Sequence, residues 1–159
     1  MEEKKVLIVD DRTDNVIAGM QAMKELGIEG IGVMELKAAL EIIRKKDLLL
    51  VLTDMQMKEG AEAGMEIVKE CCKRAIPVGV ITMRSGHGHH KDEVRLLIPT
   101  LPISDTSRLI EIETLGREKD VDAWKKAFKR LEREMHLEER ILAARKRYRK
   151  YAGRGFMEE

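Results

Sequence analysis

Acidic side chains stand directly after two short apolar segments of this chain. Asp10 and Asp11 follow Val6–Val9, and Asp54 follows Leu48–Leu52 after a single threonine. If these segments are strands of one parallel sheet, the carboxylates meet at one edge, where they repel one another unless a cation neutralises them. Carboxylate oxygens suit a hard divalent cation, so the sequence predicts a Mg²⁺ site at this edge.

The same residues would support phosphoryl chemistry. A bound cation screens the charge between a carboxylate and an approaching phosphoryl group. Asp54 is then the candidate nucleophile for in-line attack. Thr82, which ends another apolar segment, would donate a hydrogen bond to an oxygen of the acyl phosphate. The alternative is a vestigial pocket in which the acidic residues only cap helices or face solvent.

A histidine-rich segment follows Thr82. His87, His89 and His90 lie among glycines, and imidazoles in this arrangement can bind a transition metal. A site that mixes imidazole with carboxylate would favour a transition metal over Mg²⁺ and would indicate hydrolysis. The alternative is a polar loop that binds no metal.

Strand-like and helix-like segments alternate along the chain and must position these residues. The predicted strands cover residues 6–9, 29–33, 48–52 and 77–83. The predicted helices cover residues 15–26, with Asp14 or Asn15 as the cap, 35–45 and 64–74. This order predicts an α/β fold of three layers, with a doubly wound, parallel five-stranded sheet. We prefer residues 108–114 for the fifth strand over residues 96–101, which contain Pro99.

The C-terminal segment predicts an extended helix, either one long helix or two in tandem, from residue 120 to about residue 151. We expect Trp124, Phe128 and Leu131 to dock this helix onto the sheet. Its second half would project or pack against another chain, for example in a homodimer. The predicted division of the chain is a domain over residues 1–118 and a helical extension over residues 119–159.

A basic run occupies residues 140–154, where seven basic and no acidic residues occur together with two tyrosines. We interpret the run as a solvated helix end whose cations complement the helix dipole. The alternatives are contacts with a nucleic-acid backbone or with a protein partner.

Composition narrows the class of protein. The 159 residues carry a formal charge of +1, with 37% charged side chains, which argues against a globally cationic nucleic-acid binder and an acidic disordered chain. The cysteines, Cys71 and Cys72, are adjacent, which excludes a disulfide scaffold and indicates a cytoplasmic location. No stretch approaches the ~20 apolar residues of a membrane helix, so no membrane association is expected.

Three motifs resemble those of the receiver domains of two-component response regulators, namely KVLIVDDRTDN, LVLTDMQM and PVGVITM. The resemblance covers roughly residues 4–83. It implies a flavodoxin-like fold with Asp10 and Asp11 in an acidic metal pocket and Asp54 as the phospho-acceptor. It also implies that the backbone carbonyl of Gln56 is a further metal ligand.

The chain departs from the receiver pattern in several ways, so that it resembles an atypical receiver domain. Lys58 stands where the family has proline, and Gly64 comes about two residues later than the family's glycine. The Lys-Pro pair that follows strand five in the family is absent, and so is the aromatic residue of that strand. Lys119 is the candidate substitute for the missing lysine if residues 108–114 form the fifth strand.

These observations predict a signalling protein rather than an enzyme. The leading interpretation is a stand-alone receiver-like protein that binds Mg²⁺, is phosphorylated on Asp54 and acts through protein contacts. Its expected partners are a histidine kinase or a downstream protein. One alternative is a pseudo-receiver that is not phosphorylated and serves as an interaction module. The other is a small metal-dependent hydrolase that uses the carboxylates and the His87–His90 segment.

Overall fold

A five-stranded parallel sheet with helices against both faces forms the described part of the chain. The structure is a computed structural model, and it describes residues 4–55, 57–60, 62–83, 107–112 and 119–158. Only the backbone is described for residues 82–83, 107–112, 148 and 150–158.

Strands and helices follow one another in the predicted alternation. The strands are β1 Lys5–Val9, β2 Gly30–Val33, β3 Leu48–Asp54, β4 Val78–Met83 and β5 Ser107–Ile112. The described helices are α1 Thr13–Glu25, α2 Leu36–Lys45, α3 Ala63–Lys73, α4 Val121–Glu134 and α5 Glu138–Glu158. The sheet order is β2-β1-β3-β4-β5, and all neighbouring strands are parallel. The predicted α/β fold is confirmed. β5 overlaps the preferred segment at residues 108–112, while residues 113–114 and the rival segment, 96–101, lie outside the described residues.

Side-chain alternation along the strands divides the core into two layers. Ile8 points into the layer beneath α1 and α4, whereas Leu7 points into the layer beneath α2 and α3. Trp124, Phe128 and Leu131 are fully buried in the first layer. The predicted docking of the C-terminal segment through these three residues is therefore confirmed.

The C-terminal segment is described as two helices, with a break at residues 135–137. His136 has a φ of +54° in this break, and Ile141 and Ala144 of α5 are buried in the layer that contains α1 and α4. The expectation that the second half projects is therefore wrong for the beginning of α5, because the turn at His136 brings the chain back to the core. The homodimer and the division of the chain at residue 118 stay predictions.

The structure describes both cysteines and the helices that were considered as possible membrane spans. Cys71 is buried, Cys72 is partly buried, and neither belongs to a disulfide bond. Among the described helices, none has the length and apolar character needed to cross a bilayer.

Candidate metal centre

Three carboxylates converge at the carboxyl edge of the sheet. Val9 and Thr53 are paired in the register of β1 and β3, so the residues that follow them, Asp10 and Asp54, emerge side by side. One oxygen from each of Asp10, Asp11 and Asp54 lies within 4.8 Å of the others. The predicted clustering of these side chains is therefore present, and it follows from the adjacency of two parallel strands.

Asp10 is the most constrained member of this cluster because it is fully buried. Its Oδ1 accepts hydrogen bonds from the Arg12 backbone N–H (3.0 Å) and from Asn15 Nδ2 (3.2 Å). Its Oδ2 accepts from Lys119 Nζ at 2.6 Å. A buried carboxylate is tolerated only when such partners replace water, and here the partners come from three separate positions in the sequence.

Lys119 brings an ammonium group into the acidic cluster, although it lies 109 positions from Asp10 in the sequence. Its side chain is 1% exposed, and its Nζ lies 2.6 Å from Asp10 Oδ2 and 3.5 Å from Asp54 Oδ2. The same Nζ lies 5.8 Å from the centre of the Trp124 ring. Asp120 caps α4 by accepting from the Ala123 N–H at 2.8 Å, so Lys119 directly precedes the N-terminus of a well-defined helix.

The pKa values of Asp54 and Lys119 are both shifted, because the two side chains are buried and lie close together. Burial raises the pKa of Asp54 to about 7; Lys119 opposes this shift, while the charges of Asp10 and Asp11 add to it. Burial lowers the pKa of Lys119, but the attraction of Asp54 and Asp10 exceeds this effect, so that the pKa is raised above its ordinary value. The ammonium therefore stays charged and offsets only part of the negative charge.

The donor set fits a hard divalent cation. Three carboxylates within 4.8 Å of one another offer oxygen ligands of the type that Mg²⁺ and Ca²⁺ take. One ammonium carries less charge than three ionised carboxylates, so a bound cation would reduce the repulsion among them further. No histidine or cysteine belongs to this group among the described residues, so this part of the site shows no preference for a soft metal.

The other predicted site residues are only partly covered by the structure. Thr82 lies on β4, one residue beyond Ile81, which is paired with Asp54. This register places its backbone at the same edge of the sheet as the carboxylates. Gln56 lies outside the described residues, and the histidines at positions 87, 89 and 90 do as well.

Asn15 was predicted as a possible helix cap, and that interpretation is wrong. Arg12 occupies the cap position of α1, where no side-chain cap bond is formed. Asn15 lies in the first turn and is buried, and its Oδ1 accepts from the Lys119 backbone N–H at 2.8 Å. Sequence reasoning missed this role because the two residues are 104 positions apart, and no local pattern reports such a contact.

Gly64 allows α3 to begin against the backbone that carries Asp54. A Cβ at Gly64 would lie 2.7 Å from the carbonyl oxygen of Met55 and 2.8 Å from that of Asp54. We expect Gly64→Ala to lower the free energy of unfolding by about 1–3 kcal/mol, because these backbone atoms cannot move aside as a side chain can. Urea unfolding checks this, with exposed Glu66→Ala on the same helix as the control. Equal stability of the two variants would contradict it.

Comparison with known proteins identifies the family. Residues 6–99 match the family model described as the response regulator receiver domain. This chain belongs to the response regulator receiver domain family. The resemblance seen in the aspartate motifs is thus confirmed, and the acidic cluster lies within a receiver domain. Among curated proteins, the chain has no significant sequence match.

Solved structures of receiver domains share the fold. A signal receiver domain from Vibrio parahaemolyticus has a TM-score of 0.59 at 16% identity, covering 88% of this chain and 98% of its own. A response regulator receiver domain protein from Methanospirillum hungatei JF-1 gives 0.56 at 20% identity, with coverages of 84% and 97%. The receiver domain of NtrX from Brucella abortus gives 0.58 at 19% identity, with coverages of 83% and 98%. At these identities the likeness establishes the fold and leaves the chemistry to the residues of the site.

Proposed function

We propose that this receiver domain binds Mg²⁺ and accepts a phosphoryl group on Asp54. Asp10, Asp11 and Asp54 would hold the ion together with the backbone carbonyl of Gln56. The observation that carries the proposal is the convergence of three carboxylates and the Lys119 ammonium around one acceptor. When bound, Mg²⁺ would neutralise charge on the carboxylates and on the phosphoryl oxygens.

The chain's own residues account for the transfer step. An ionised oxygen of Asp54 attacks the phosphorus in line, the new O–P bond forms, and the bond from phosphorus to the donor breaks. The leaving group departs with the bonding electron pair. Lys119 Nζ, which lies 3.5 Å from Asp54 Oδ2, favours the ionised acceptor and can donate a hydrogen bond to a phosphoryl oxygen. The hydroxyl of Thr82 is proposed as a second donor.

Lys119 supports this function because it supplies a cation that the motifs alone did not reveal. The family's Lys-Pro pair is absent from the sequence, yet a buried ammonium contacts both Asp10 and Asp54. We therefore propose that Lys119 substitutes for the missing lysine. Output would then run through protein contacts in the cytoplasm, with a histidine kinase or a downstream protein as partner.

Phosphorylation by a small donor tests the proposal. The full chain is incubated with acetyl phosphate and Mg²⁺ and its intact mass is measured. We expect a gain of one phosphoryl group in the native protein and none in Asp54→Asn, which lacks the nucleophilic oxygen. Asp47→Asn is a matched control, because Asp47 is exposed just before the opposite end of β3.

The outcomes separate the proposal from its alternatives. No gain under saturating donor and Mg²⁺ would refute the acceptor role and would favour a pseudo-receiver that serves as an interaction module. A gain retained in Asp54→Asn would place the phosphoryl group on another residue. The hydrolase alternative depends on the His87–His90 segment, which lies outside the described residues, so it stays a prediction.

A further inference from the structure

We propose that Asn15 is a positioning residue that holds Lys119 against the acidic cluster. The Asn15 side chain lies in the first turn of α1, and the residue is 2% exposed. Its Oδ1 accepts from the Lys119 backbone N–H at 2.8 Å, and its Nδ2 donates to Asp10 Oδ1 at 3.2 Å. One amide thus contacts both the backbone of the lysine and the carboxylate that the lysine binds.

These bonds close a ring. From Asn15 the ring passes through the Lys119 backbone and along the lysine side chain to Asp10 Oδ2, 2.6 Å from Nζ. It returns through Asp10 Oδ1 to Asn15. A lysine side chain is flexible and loses rotamer entropy when it is held in one geometry. Fixing both its backbone and its partner carboxylate reduces the number of positions that Nζ can adopt.

The position of Nζ matters for both carboxylates. Lys119 Nζ is closer to Asp10, at 2.6 Å, than to Asp54, at 3.5 Å. Because Asn15 orients Asp10 and anchors the lysine backbone together, it sets how the ammonium is shared between the two carboxylates. A purely structural role would instead stabilise the whole core and would leave no specific effect at Lys119.

Chemical labelling of the full chain without Mg²⁺ distinguishes a positioning role of Asn15 from a purely structural one. A limiting amine reagent is applied, and modification of Lys119 is followed by peptide mass spectrometry. Cys71 is fully buried in the opposite core layer, so the reaction of its thiol with a thiol reagent reports general unfolding. The variants are Asn15→Ala, Asn15→Asp and, as a control on the exposed side of the same helix, Gln21→Ala.

We expect Asn15→Ala to speed the modification of Lys119 by about tenfold or more, while Cys71 stays as unreactive as in the native protein. Asn15→Asp should give a smaller increase, because its carboxylate still accepts from the Lys119 N–H. Gln21→Ala should change neither rate.

Two results would overturn the inference. One is a folded Asn15→Ala whose Lys119 reacts at the native rate. The other is a parallel increase at Lys119 and Cys71, which indicates a structural role. If Asn15→Ala does not fold, Asn15→Asp decides by the same criterion: an increase at Lys119 alone supports the inference, and any other pattern overturns it. The labelling does not depend on phosphorylation of Asp54, so its outcome is independent of the acetyl phosphate experiment.

Discussion

Replacing Lys119 by methionine is expected to lower the free energy of unfolding of the metal-free protein by about 3–5 kcal/mol. The substitution keeps much of the side-chain volume but removes the ammonium that lies 2.6 Å from the fully buried Asp10. Asp10 Oδ2 then loses this donor, and the ammonium no longer offsets the repulsion among the three clustered carboxylates. Urea unfolding of the native protein and of Lys119→Met, both in the presence of a chelator, measures the difference.

Lys125→Met is the matched control for this prediction. Lys125 Nζ lies 2.7 Å from Glu25 Oε1, but this pair is partly exposed, so solvent screens it and its loss should cost far less. Excess Mg²⁺ is expected to return part of the stability lost in Lys119→Met, because a cation that binds only the folded carboxylates stabilises the folded state. Equal losses in the two lysine variants would contradict the role given to Lys119.

Truncation of Trp124 to alanine is expected to cost about 3–5 kcal/mol of stability. Its side chain is fully buried and lies so close to α1 that a Cβ at Gly19 would be 3.2 Å from the ring. Removing the ring leaves a cavity between α1 and α4 and removes the aromatic face near Lys119 Nζ. Thermal and urea unfolding followed by circular dichroism measure the loss, because the variant has no tryptophan to report it.

Two further variants define what the Trp124 ring contributes. Trp124→Phe should lose much less stability than Trp124→Ala, because the buried Nε1 has no hydrogen-bond partner among the described residues and only volume is lost. Leu142→Ala should have little effect, since Leu142 is 51% exposed on α5. If Trp124→Ala lost as little stability as Leu142→Ala is expected to lose, α4 would not form part of the core.

The carboxylate cluster was predictable because it depends on local patterns and one topological rule. Asp10 and Asp54 each follow an apolar segment that is recognisable as a buried strand, and parallel strands bring their carboxyl ends to one edge. The adjacency of β1 and β3 then places the two carboxylates side by side. The helix that carries Trp124 was equally readable from its apolar spacing.

The remainder of the site was not readable from local patterns. Lys119 was a candidate only on condition that residues 108–114 form a strand, and its distance of 109 positions from Asp10 leaves no periodic signal. Asn15 has the residue type and the position of a helix cap, so its local pattern indicated a bond to the backbone of its own helix rather than to Lys119. Two helices in tandem were among the sequence alternatives, but the position of the turn at His136 was not predicted, because positive φ is uncommon for any residue other than glycine.

The central claim is that Asp54 forms an acyl phosphate, and chemical trapping tests it most directly. Borohydride reduces an aspartyl phosphate to homoserine, and peptide sequencing then shows which residue carried the phosphoryl group. After treatment with acetyl phosphate and Mg²⁺, we expect homoserine at position 54, and none when Mg²⁺ is removed by a chelator. Homoserine at another aspartate, or at no position in a fully folded protein, would contradict the account.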